Sequence, residues 1–156
     1  MIPADDDTPI LLCTDGSPAA TRAIEVAAAL MGGRVALALC VWSPAASLTP
    51  LDPIGDVVGR MSGIYAELDA TAAATAERHA HDAVVVARRA GLRAEALTAT
   101  GAPWSEIVRV ADQQNVAAVV LGAHGAGGLI SAFPGTVALR VLQHCGRPTV
   151  IVGPAT

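Results

Sequence analysis

Runs of almost unbroken aliphatic residues recur along this chain: PILLCT at 9–14, RVALALCVW at 34–42, VAAVVL at 116–121 and TVIV at 149–152. Stretches with helical spacing separate them, and no other feature restricts the fold so strongly. A strand that is apolar on both faces has to be covered on both, which is the situation inside a parallel sheet flanked by helices. A fifth run at 93–99 is more polar and suits a position near an edge. Asp15-Gly16 ends the first run, and Ser17-Pro18 then supplies a helix N-cap followed by proline at the first helical position. Ile24, Ala27, Ala28 and Met31 continue as a stripe up to Gly32-Gly33. A long helix is predicted from about Ile64 to Ala90, a third from Pro103 to near Asn115, and a fourth from about Thr136 to Cys145. Residues 43–62 hold three prolines and two glycines and read as a long loop. Strand and helix alternate from end to end, so the predicted fold is α/β: an open parallel sheet with helices on both faces, in a single domain spanning 1–156 with its core at about 9–152.

Composition removes several functions. The 156 residues are 53% hydrophobic with a mean hydropathy of +0.50, but only 3% aromatic, so the core is built of Ala, Val, Leu and Ile. All ten basic residues are arginine. Without lysine, a Schiff-base lysine and the Walker-type phosphate lysine are both excluded. Residues 1–78 carry a net charge of −6 and residues 79–156 one of +2, with no basic patch interleaved with aromatics, so nucleic acid is not an expected partner. No apolar run approaches the ~20 residues of a membrane span, and the acidic MIPADDDTPI is no signal peptide. Cys13, Cys40 and Cys145 stand in apolar contexts and read as free thiols in a reducing compartment, so the expected location is cytoplasmic.

In open parallel sheets ligands bind beyond the carboxyl ends of the strands, where strand order reverses. Two segments compete for that place: Thr14-Asp15-Gly16 after the first strand, and GAHGAGGLISAFPGTV (122–137) after the fourth. The second holds five glycines and no charged side chain. It fails the dinucleotide pattern GxGxxG, since position 130 is Ile, and it fails the P-loop pattern for want of lysine. What it does show is Gly122-x2-Gly125-x9-Gly135-Thr136. Gly122 and Gly125 would let the chain turn sharply off the strand and bring bare backbone against a ligand. Gly135-Thr136 would open a helix whose unpaired amides and positive dipole end accept an anion, with the Thr136 hydroxyl as an added donor. That reading fails if, with ATP present, the bend is folded shut and the Gly135 nitrogen is turned toward protein carbonyls. Arg140, one turn into the helix, is the nearest cation by sequence.

The spacing G-x2-G-x9-G-[ST], with the Thr14-Asp15-Gly16-Ser17 opening and the apolar last strand, resembles the universal stress protein family over roughly residues 9–152. The resemblance implies a five-stranded sheet of order 3-2-1-4-5, like that of the adenine-nucleotide α-hydrolases, binding ATP in one subset of members and no nucleotide in another. It also implies homodimers that pair through the last strand, here Thr149–Val152. Carried over to this sequence, Thr14 and Asp15 would sit by the adenosine and Val41 would touch the base. Leu121 and Gly122 would line the ribose and phosphate side, and Gly125, Gly135, Thr136 and Val137 would hold the phosphates. The implied ligand is ATP, with or without Mg2+, or alternatively AMP or cyclic AMP. This chain departs from many members in carrying Ala126 where they have arginine, and Pro134 removes an amide just before Gly135.

Plainer alternatives stand beside these readings. Asp15 also suits ordinary turn chemistry ahead of a helix. His124 has no nucleophile or carboxylate near it in sequence and reads as a loop side chain. His79 and His81 diverge by about 200° on a helix and cannot share a metal at that spacing. Leu129, Ile130 and Phe133 would pack the glycine loop onto the sheet or form a partner surface, and Trp104 suits packing or a dimer contact. The expected role is a nucleotide-binding stress sensor or regulator rather than an enzyme, with no catalytic or metal-binding residue. The rivals are a dimeric interaction module with an empty crevice, and a slow nucleotide hydrolase. TDGSPA does not match the SGGxDS-like loop of an α-hydrolase.

Overall fold

The computed structural model describes residues 7–48, 55–124 and 135–155. Five parallel strands form one sheet in the order β3-β2-β1-β4-β5: β1 (Ile10–Thr14), β2 (Val35–Trp42), β3 (Arg93–Thr100), β4 (Ala118–Gly122) and β5 (Thr149–Val152). Helices α1 (Pro18–Met31), α2 (Gly55–Arg89), α3 (Pro103–Gln113) and α4 (Thr136–His144) connect them. The strand order is the one the resemblance implies.

Side-chain alternation along β1 divides the core. Ile10 and Leu12 pack with Ala23, Ile24 and Ala27 of α1 and with Ala83 and Ala87 of α2. Leu11 and Cys13 point the other way, to Ile107 and Val110 of α3 and Ala138 and Val141 of α4. The two helix pairs therefore cover opposite faces, as wholly apolar central strands require. β3 lies at an edge, and its alternating exposed and buried residues match its more polar sequence.

Local signals account for most helix ends. Ser17 caps α1, its Oγ accepting the Ala20 N–H at 3.2 Å, with Pro18 as the first helical residue. α3 stops at Asn115, held at a φ of 49°. The long-loop reading of 43–62 is corrected. A short 3-10 helix covers Ala45–Leu48, and α2 begins at Gly55, nine residues ahead of the expected start at Ile64. Gly55 and Gly59, together with three prolines ahead of them, suggested a loop, but each glycine costs a helix only about 1 kcal/mol, which the rest of a 35-residue helix readily absorbs. The segment 49–54, inside that predicted loop, lies outside the described residues.

Candidate functional site

β1 pairs with β2 on one side and β4 on the other, and the chain leaves these two central strands toward opposite faces. A crevice opens between their carboxyl ends, as the switch-point rule requires. It holds a cavity of about 290 Å³. That is the low end of the roughly 300–1,000 Å³ typical of small-molecule sites, and suits a mononucleotide better than a dinucleotide.

Eight of the nine residues carried over from the family motif line this one cavity. Thr14 and Asp15 come from the β1–α1 turn, Val41 from the end of β2, Leu121 and Gly122 from the end of β4, and Gly135, Thr136 and Val137 from the start of α4. The ninth, Gly125, lies outside the described residues, as do Ala126, Leu129, Ile130, Phe133 and Pro134. Sequence reasoning missed the apolar side of the cavity, where Cys13, Leu39, Pro103 and Ile107 contribute. Periodicity marks such residues as core but does not say which face of a doubly covered sheet holds a void.

The β1–α1 turn is fixed by its own side chains. Thr14 Oγ1 accepts the Gly16 N–H at 3.1 Å, and Asp15 Oδ1 accepts the Ser17 N–H at 3.0 Å. Asp15 thus has the turn role of the plainer alternative and also a place in the cavity wall. Gly16 adopts a φ of +78°, and a Cβ there would come within 2.5 Å of the His79 ring, which packs against the turn from α2.

Two glycines act differently from the expectation. Gly122 is still part of β4, not a bend beyond it, and a Cβ there would lie 3.1 Å from the backbone of Ala19. Its missing side chain lets the first turn of α1 approach the strand. Gly135 is the N-cap of α4, but its N–H donates to the Ala123 carbonyl. Its assignment as an amide donor to phosphate is therefore corrected: that nitrogen is already spent on closing the loop. No side chain caps α4, so the first-turn N–H groups, beginning with Thr136 and Val137, lack an intrahelical acceptor. These two residues line the cavity.

Electrostatics narrows the chemistry. Cys13 lies in the wall, but burial holds its thiol far above the ordinary range, so it is no nucleophile at neutral pH. Cys40 is pushed up to about 11 by burial and, secondarily, by the Asp15 charge. Arg140, the nearest cation by sequence, does not line the cavity: its guanidinium sits 5.4 Å from the Trp104 ring centroid, and that ring packs against His144. His124, read as a loop residue, is in the wall, and its Nε2 is buried without a hydrogen-bond partner among the described residues. Among the described residues no group of three or more His, Cys, Asp or Glu side chains could hold a metal ion. No helix among them is long and apolar enough to cross a membrane.

The sequence matches the family model "Universal stress protein family" over residues 8–153. The chain belongs to the universal stress protein family. Solved structures resemble this universal stress protein over nearly its whole length. The structure of hypothetical protein MJ0577 has a TM-score of 0.77 at 19% identity, covering 97% of this chain and 99% of its own. A universal stress protein in complex with cAMP has a TM-score of 0.63 at 20% identity, covering 94% and 97%. The universal stress protein from Archaeoglobus fulgidus in complex with dAMP has a TM-score of 0.62 at 23% identity, covering 97% and 99%. At these identities the likeness is one of fold. A search of curated proteins gives no match.

Proposed function

We propose that this universal stress protein binds an adenine nucleotide in the crevice between β1 and β4, and that it acts as a stress sensor or regulator rather than as a catalyst. One observation carries the reading: two segments more than a hundred residues apart, Thr14-Asp15 and Thr136-Val137, meet around a single cavity at the topological switch point. The apolar wall suits a base, and the free amides at the start of α4 suit a phosphate. Family members of this fold solved with cAMP and dAMP support adenine as the base. ATP, with or without Mg2+, belongs to the same proposal. So does a homodimer formed through β5, a short apolar strand at the edge of the sheet.

The engaged Gly135 N–H favours a second reading, the dimeric interaction module whose crevice stays empty. Mass spectrometry of small molecules released from freshly purified protein, followed by calorimetric titration, separates the two. The first reading expects an adenine nucleotide among the released compounds and saturable binding on titration. No adenine compound released, and no heat with adenosine, AMP, cyclic AMP or ATP at millimolar concentration, would leave the interaction module.

A further inference from the structure

We infer that His124 is a specificity-determining residue of the crevice: its Nε2–H donates to the phosphate of a bound adenine nucleotide, and so makes the site discriminate nucleotides from nucleosides. This rests on the crevice being a nucleotide site, and it names a side chain that the Gly122-x2-Gly125-x9-Gly135-Thr136 spacing does not include.

His124 stands in the cavity wall, yet its Nε2 is closed off from solvent and has no hydrogen-bond partner among the described residues. Among those residues no other side-chain nitrogen or oxygen in that wall is in this condition. A buried polar atom left unpaired destabilises the fold, so native proteins keep few of them, and those few cluster where a ligand completes the pairing. A molecule held in the cavity is placed to do so. The space beside the ring gives it room to turn about its Cβ–Cγ bond, a soft torsion in histidine.

Position decides which part of the ligand His124 meets. As an acceptor, Nε2 would suit the amino group of adenine; as a donor, it suits a phosphate oxygen. The His124 backbone lies beside the N-cap of α4, its Cα 3.8 Å from where a Gly135 Cβ would stand. The carbonyl just before it, that of Ala123, takes the Gly135 N–H. His124 therefore belongs to the phosphate end of the crevice, with the first-turn amides of α4 and the Thr136 hydroxyl. Other donors are scarce at that end. The Gly135 N–H is taken, the chain has no lysine, and residues 122–137 hold no arginine. Arg140 lies over Trp104 rather than in the wall. With its proton on Nε2, His124 supplies the missing donor. A hydrogen bond to a charged phosphate oxygen is stronger than one to a neutral hydroxyl, so a nucleoside gains little from it.

Calorimetric titration of the intact protein with AMP and with adenosine tests this. Wild type is expected to bind AMP more tightly than adenosine. His124→Phe keeps an aromatic ring and removes both nitrogens, so AMP affinity should fall about tenfold while adenosine affinity stays within about twofold. His124→Gln carries an amide nitrogen at about the reach of Nε2 and should recover most of the loss. In the wild-type protein, the nitrogen resonances of the His124 imidazole should shift further on saturation with AMP than with adenosine. Equal losses for AMP and adenosine, no recovery in His124→Gln, or imidazole resonances unmoved by AMP would each overturn the role of His124 and leave nucleotide binding in place. Failure of wild type to bind either probe overturns the nucleotide reading as well.

Discussion

At the scale of single residues, space and dihedral angle decide what each glycine does. Gly16 has both a positive φ and the His79 ring where a Cβ would stand, whereas Gly33, at a φ of +83°, has nothing within 4 Å of that point. Gly33→Ala should therefore cost only the dihedral penalty, about 1 kcal/mol, and Gly16→Ala about 1–3 kcal/mol. Combining Gly16→Ala with His79→Ala should recover the collision but not the dihedral part, as read by urea unfolding of the four proteins. The two buried thiols make a second residue-scale prediction. Below their ordinary value of 9.0 both thiols keep their protons in folded and unfolded chains alike, so they leave stability unchanged there. Above it the unfolded chain releases protons first, so stability should fall as pH rises toward about 11 for Cys40 and beyond that for Cys13. Denaturation midpoints between pH 8 and 11 check this, and a Cys13→Ala, Cys40→Ala double variant should flatten the slope. A sequence shows that a glycine is present but not which neighbour fills its missing volume. For that reason Gly122 read as a bend when its task is to admit Ala19.

At the scale of elements, the N-terminus of α4 carries the phosphate-binding part of the account. Gly135 has an extended ψ of 164°, which a following proline requires, and proline is welcome at the first helical position. Thr136→Pro should therefore leave thermal stability within about 0.5 kcal/mol while deleting one amide and one hydroxyl donor, and it should weaken cyclic AMP binding about tenfold. Unchanged affinity would mean that α4 does not touch the ligand. The strands and helices were legible because central parallel strands are uniformly apolar and the helix starts carry explicit signals at Ser17-Pro18 and Pro103. The start of α2 was not, because glycines every fourth residue look like a loop even when a helix already nucleated downstream runs through them.

At the scale of the whole molecule, the order 3-2-1-4-5 was available only through the family resemblance; alternation of strand and helix predicts a parallel sheet but does not rank its strands. That order is what brings two remote segments to one crevice and leaves β5 as an unpaired edge. Sedimentation at micromolar concentration should show a dimer, and a monomer throughout would remove β5 as the pairing surface. The cavity itself was not legible: its apolar wall is made of residues that, in sequence, look like any other core.

Backbone amide chemical-shift mapping during titration with cyclic AMP tests the crevice most directly. Saturable shifts are predicted at Asp15, Gly122, Thr136 and Val137, on both sides of the gap between β1 and β4. Shifts confined to other surfaces, or none that saturate, would contradict the placement of the site.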